Sequence, residues 1–133
     1  MSKNKLKEIW NNNNYALNGW ISINNPFSAE IMSRQNYDTL TIDMQHGLIG
    51  YSDLLGILQA ITGSGVMPIV RVPWLDPGYI MKALDTGAEG IICPMINNKK
   101  EAEQFVSFMK YPPLGNRSFG PTRQNIITGN NYY

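Results

Sequence analysis

The 133-residue chain carries 11 Lys and Arg against 10 Asp and Glu, a formal charge of +1, so neither nucleic acid nor an anionic membrane is an expected partner. The only concentration of positive charge is the weak set Lys3, Lys5 and Lys7. One cysteine excludes an internal disulfide, the amino terminus lacks a secretory pattern, and no apolar run reaches the length of a membrane span, which predicts a soluble cytoplasmic protein of one domain over residues 1–133.

The first element is a short polar helix over residues 2–10, followed by the tract Asn11 to Asn14, which reads as a turn. "ALNGWISI" (16–23) reads as a short buried strand. "PFSAEIMSRQ" (26–35) opens on Pro26 and spaces Phe27, Ile31 and Met32 at helical intervals, so it reads as a helix. The alternation then repeats with strand 39–43, helix 51–62, strand 67–72, helix 77–86, strand 90–95 and helix 98–110. Short apolar runs alternating with amphipathic helices predict an α/β fold of four β/α units around a parallel sheet. From Tyr111 onward Pro, Gly and Asn dominate, and residues 111–133 are expected to be loop or tail.

In parallel α/β folds the chemistry collects at the carboxyl ends of the strands. Asp43 and His46 follow the second strand there, Arg71 ends the third, and "CPM" (93–95) ends the fourth. His46, the single histidine, suits proton transfer near neutral pH, or is a hydrogen-bonded loop residue. Arg71 offers a cationic fork for a carboxylate, or an ion pair with Asp43 or Asp76. Asp85 is a candidate to orient an imidazole, or a solvated surface residue. Trp74 either lines a pocket mouth or covers the core. Cys93 reads as a buried structural thiol. Gly47, Gly87 and Gly90 read as backbone punctuation, because they form no phosphate loop or dinucleotide fingerprint, and no Cys/His metal spacing occurs.

Three ordered motifs, "IDMQHG" (42–47), "PIVRVPWLDPGYIMKALDTGAEGIICPM" (68–95) and "YPPLGNRSFGPTR" (111–123), make residues 16–123 similar to the HpcH/HpaI aldolases. These are the metal-dependent class II aldolases of pyruvate and related 2-oxo acids. The resemblance implies a (β/α)₈ TIM-barrel fold of about 250 residues, of which this chain supplies about the first four β/α units. It implies a carbon–carbon lyase that cleaves a 4-hydroxy-2-oxo acid to pyruvate and an aldehyde, using Mg²⁺, Mn²⁺ or Co²⁺ to stabilise an enolate. By position, the resemblance makes His46 the catalytic histidine, Asp85 its dyad partner, Asp43 a supporting acidic residue, and Arg71 the arginine that contacts pyruvate. Gln45 stands where many members carry glutamate. The metal-binding glutamate and aspartate of the family, at the ends of the fifth and sixth strands, would fall beyond Tyr133, so no residue of the chain is a metal ligand by resemblance. The full-length form implied is a homo-oligomer, with activity expected once the second half is supplied. The alternative is a non-catalytic α/β fragment that binds a carboxylate through Arg71 or serves as an assembly partner. A related lyase acting on a CoA thioester would need a nucleotide-binding surface, for which no motif is present.

Overall fold

A computed structural model describes residues 4–129 and Tyr132. After a first helix, α1 (Lys5–Asn11), four parallel strands alternate with helices: β1 (Asn18–Ile21), α2 (Pro26–Ser33), β2 (Thr39–Asp43), α3 (Tyr51–Ile61), β3 (Met67–Arg71), α4 (Pro77–Thr86), β4 (Gly90–Ile92) and α5 (Lys99–Met109). The sheet order is β1-β2-β3-β4, so every neighbour in sequence is a neighbour in space. Each crossover helix returns antiparallel to the strands, and all strand carboxyl ends therefore lie at one end of the sheet.

Sequence chemistry explains the boundaries. Pro26 and Pro77 open their helices at the position where a missing N–H costs nothing. The side chains of Asn25, Asp76 and Asn98 accept from the backbone N–H groups of Ser28, Tyr79 and Glu101, capping α2, α4 and α5. Gly87 ends α4 with φ at 124°, a conformation that disfavours any side chain. The Asn tract forms the expected turn, with Asn13 left-handed at φ 55°. The first helix begins later than expected, and residues 2 and 3 of its expected span lie outside the described residues.

Strand alternation divides the molecule into two faces. Leu40 and Ile42 of β2 and Val70 of β3 turn to the helices and form, with Leu54, Ile57, Leu58 and Ile80, a core excluded from water. Burying such side chains is worth about 1.5–3 kcal/mol each. The opposite face carries Asn18, Thr39, Thr41, Asp43, Ile69 and Arg71. The Thr39 and Thr41 hydroxyls hydrogen-bond with the Asn18 side-chain amide at 2.7 and 3.0 Å, which satisfies two buried polar groups on that face.

Two expectations are corrected. Residues 111–133 are not all loop, because Thr122–Thr128 form a sixth helix, α6, packed on α4. Seven residues are too few to hold a helix by propensity. Tertiary contacts hold this one: Arg123 donates to Thr86 O at 2.5 Å and to Thr62 Oγ1 at 2.8 Å, and Gln124 Nε2 donates to Ala88 O at 3.4 Å. The fourth strand is also shorter than 90–95. It ends at Ile92, and Met95 adopts φ 58°, so Cys93–Met95 form the loop that leaves the strand.

Candidate functional site

Parallel register places Asp43 and Arg71 directly opposite one another at the last pair of the β2–β3 ladder. Both side chains leave the sheet on the face away from the helices, and the guanidinium meets the carboxylate as a fork: Nε to Oδ1 at 2.9 Å and Nη2 to Oδ2 at 2.7 Å. Of the two ion pairs open to Arg71 in the sequence, the pair with Asp43 forms, while Asp76 is occupied as the cap of α4.

Asp43 is only 2 % exposed and is a hub of five hydrogen bonds. Besides Arg71, it accepts from the backbone N–H of Gln45 at 3.0 Å and of His46 at 3.3 Å, and from Trp20 Nε1 at 3.3 Å. The Arg71 guanidinium, helped by the two loop N–H groups and the indole, outweighs burial and holds the Asp43 carboxyl well below the usual carboxylate range. Asp43 is therefore a fixed anion at neutral pH. It folds the loop after β2 into an Asx turn and aims it, and it does not trade protons.

His46 sits on that turn, exposed, and its imidazole makes no hydrogen bond or ion pair to a described residue. Gly47 follows because the loop passes against Asp43 O and Ser22 Cα, where a Cβ would collide with backbone. Its role is a close approach, more than punctuation. Leu48 N–H then bonds to Ser22 O at 3.0 Å, tying the β2 loop to the loop after β1.

Arg71 keeps binding capacity after pairing. Two of its five N–H donors serve Asp43, leaving the Nη1 pair and one Nη2 hydrogen. A ligand carboxylate can meet the guanidinium at that remaining edge. Asp43, Arg71 and His46 thus form one unit, with a cation held rigid by an anion and an unengaged imidazole on a turn pinned to the same anion.

Asp85 is not part of this unit. It lies near the carboxyl end of α4, which delivers the chain to the amino end of β4, so it occupies the opposite end of the sheet from His46. There it pairs with Arg117 Nη2 at 2.5 Å. Arg117 is 4 % exposed, lies over the rings of Tyr111 and Tyr132, and donates to Tyr132 Oη at 2.9 Å. The expected His46–Asp85 dyad does not form within the chain. The "YPPLGNRSFGPTR" segment is instead a bracket that fastens the far end of α4.

Cys93 is half-buried in the loop after β4, and burial pushes its thiol up, away from nucleophilic use. Trp74 is 56 % exposed on the loop after β3 and is not part of the core. The residue missed in the sequence is Trp20, the penultimate residue of β1, which pairs with Thr41 two residues before Asp43 on the same face of the sheet. Its signal was available: with Gly19 and Ile21 turned to the helices, alternation puts Trp20 on the same face as Asp43.

Among the described residues, no group of three or more His, Cys, Asp or Glu side chains could hold a metal ion. Asp43 and Asp85 are each committed to an arginine. The described residues therefore offer no set of side chains that fits a divalent metal centre.

A family model for HpcH/HpaI aldolase/citrate lyase matches residues 17–129. A hydroxypyruvate/pyruvate aldolase of Rhizorhabdus wittichii is 43% identical over 129 residues, covering 97% of this chain and 51% of the relative. A 2-dehydro-3,6-dideoxy-6-sulfogluconate aldolase of Pseudomonas putida is 40% identical over 103 residues, covering 77% of this chain and 40% of the relative. Among solved structures, a HpcH/HpaI aldolase/citrate lyase family protein from Burkholderia cenocepacia superposes with TM-score 0.84 at 27% identity, covering 94% of this chain and 55% of that one. Macrophomate synthase superposes with TM-score 0.79 at 31% identity, covering 89% of this chain and 41% of that one. The chain spans about half the length of the curated relatives it matches. Its four β/α units correspond to part of their TIM-barrel-type fold.

Proposed function

The chain belongs to the HpcH/HpaI aldolase/citrate lyase family, and on that premise we propose that it supplies the carboxylate-binding and proton-transfer half of a 2-oxo acid aldolase site. The reaction is cleavage of a 4-hydroxy-2-oxo acid to pyruvate and an aldehyde. The observation that carries this reading is the Asp43–Arg71 fork with the unengaged His46 imidazole on the turn that Asp43 holds.

The free edge of Arg71 takes the substrate carboxylate and the oxygen beside it. His46 accepts the proton of the C4 hydroxyl as the C3–C4 bond breaks, which releases the aldehyde and leaves the electron pair as the pyruvate enolate. Proton return to C3 completes pyruvate. An enolate needs fixed positive charge beside its oxygen, and Arg71 is a cation held rigidly at this end of the sheet. Asp43 orients and stays ionised, and Asp85 has no part at this end of the chain. The divalent metal and the homo-oligomer implied by the resemblance belong to the whole-length form of the proposal, and no step above depends on either.

The test is pyruvate release from a 4-hydroxy-2-oxo acid with Mg²⁺ or Mn²⁺, comparing the chain with a version extended by the carboxyl-terminal half of a relative. The extended, folded protein should release pyruvate, with His46→Ala lowering the rate by about 10²–10⁴-fold. No pyruvate from the extended, folded form defeats the reading. A second reading, a carboxylate-binding module without catalysis, is favoured by the free edge of Arg71, which needs no metal to take an anion. Metal-free calorimetry with oxalate, showing binding that Arg71→Ala abolishes, together with no turnover in the extended form, would establish it.

A further inference from the structure

We infer that Trp20 is the positioning residue of this site: it clamps the Asp43–Arg71 pair and walls the edge at which a carboxylate meets Arg71, the second role resting on the function proposed above.

Trp20 touches both members of the pair through different parts of one ring. Its Nε1–H donates to Asp43 Oδ2 at 3.3 Å, the oxygen that also accepts from Arg71 Nη2. Its face lies under the guanidinium, 4.9 Å from ring centroid to Arg71 Cζ. The fork with Asp43 fixes the guanidinium within its own plane, but tilting about the line joining the two groups leaves both hydrogen bonds almost intact. The indole face opposes that tilt through stacking and cation–π attraction, and the indole edge keeps the carboxylate from turning.

A packing role does not account for the residue. Trp20 is 43 % exposed on β1 and lies outside the hydrophobic core, while Gly19 and Ile21 on either side are buried on the helix face. An open indole that spends its one donor on a buried carboxylate is better placed to serve a site than to fill a core. The geometry also narrows how a ligand approaches. Two in-plane donors are taken by Asp43 and one face by Trp20, so an incoming carboxylate reaches Arg71 at the Nη1 edge with the indole beside it.

The three tryptophans give three indole signals in a ¹H–¹⁵N spectrum of the full chain, and Trp20→Phe identifies the one that belongs to Trp20. Asp43→Asn should move the Trp20 indole signal and leave those of Trp10 and Trp74 in place. Pyruvate or oxalate should move the same signal. Oxalate binding should weaken about threefold in Trp20→Phe, which keeps a ring face, and about tenfold in Trp20→Leu, which keeps none. Partial rescue by Phe separates positioning from a bulk packing role. An indole signal indifferent to Asp43→Asn, or a folded Trp20→Leu chain that binds oxalate as tightly as the wild type, overturns the inference. If the wild-type chain binds neither anion, the proposed function fails instead, and the Asp43→Asn response alone decides the role of Trp20.

Discussion

Replacing Asp43 by Asn removes one charge and leaves the shape of the side chain almost unchanged, which makes it a direct probe of the hub. The amide can keep its carbonyl oxygen towards the N–H groups of Gln45 and His46, at 3.0 and 3.3 Å in the native protein. Its NH₂ then faces Trp20 Nε1 and Arg71 Nη2, so donors confront donors where two acceptances existed. Removing one partner of a fully buried ion pair costs about 3–5 kcal/mol. Arg71 keeps 23% of its side chain accessible and can recover some hydration, so the lower end, about 3 kcal/mol, applies. In a domain of this size that is a fall in Tm of about 10 °C. The pH dependence has a definite sign. Because the folded carboxyl is depressed below its ordinary 3.8, its stabilisation is fully present above that pH and is lost as pH falls towards the folded value. Thermal unfolding followed by circular dichroism at pH 7, 5 and 3 should show a constant gap between wild type and Asp43→Asn at the two higher values and a smaller gap at pH 3. A fall of less than about 3 °C at pH 7, or a gap that does not narrow on acidification, would refute the assignment of Asp43 as an ionised hub.

Arg71→Lys should fold yet bind oxalate at least about tenfold more weakly by calorimetry, since an ammonium cannot span both Asp43 oxygens and still present an edge. Gly47→Ala should cost about 3 kcal/mol in urea unfolding, because the new Cβ meets Asp43 O and Ser22 Cα and the loop has to move. Arg123→Ala should cost about 2 kcal/mol by the same measurement, because Thr86 O at the end of α4 and Thr62 Oγ1 just past α3 lose their donor and α6 loses its anchor.

Much of the architecture was legible because it is written in short-range patterns. The β2 and α4 boundaries and the start of α3 follow from apolar runs, capping side chains and Pro at helix starts, all of which act within four or five residues. The carboxyl-end rule likewise put Asp43, His46 and Arg71 at one end of the sheet. The same β/α/β order shows that Asp85, at the close of a returning helix, belongs at the other end. The family resemblance pairs it with His46, and within this chain the direction of α4 holds the two apart, with Asp85 on Arg117.

What the sequence by itself determined is the set of parts and their order: four β/α units, their family, and a histidine and an arginine at strand ends. Only the tertiary structure decided the partners. Arg71 had two carboxylates within reach in the sequence, and the β2–β3 register selected Asp43, 28 residues away. Trp20 joined the pair from a third strand, and α6 formed because α3 and α4 present acceptors to Arg123. The physical reason is range. Periodicity and caps act along the chain, whereas ion pairs, stacking and the satisfaction of buried polar groups depend on which strand ends and helix ends the closed fold brings within 3 Å or so of one another.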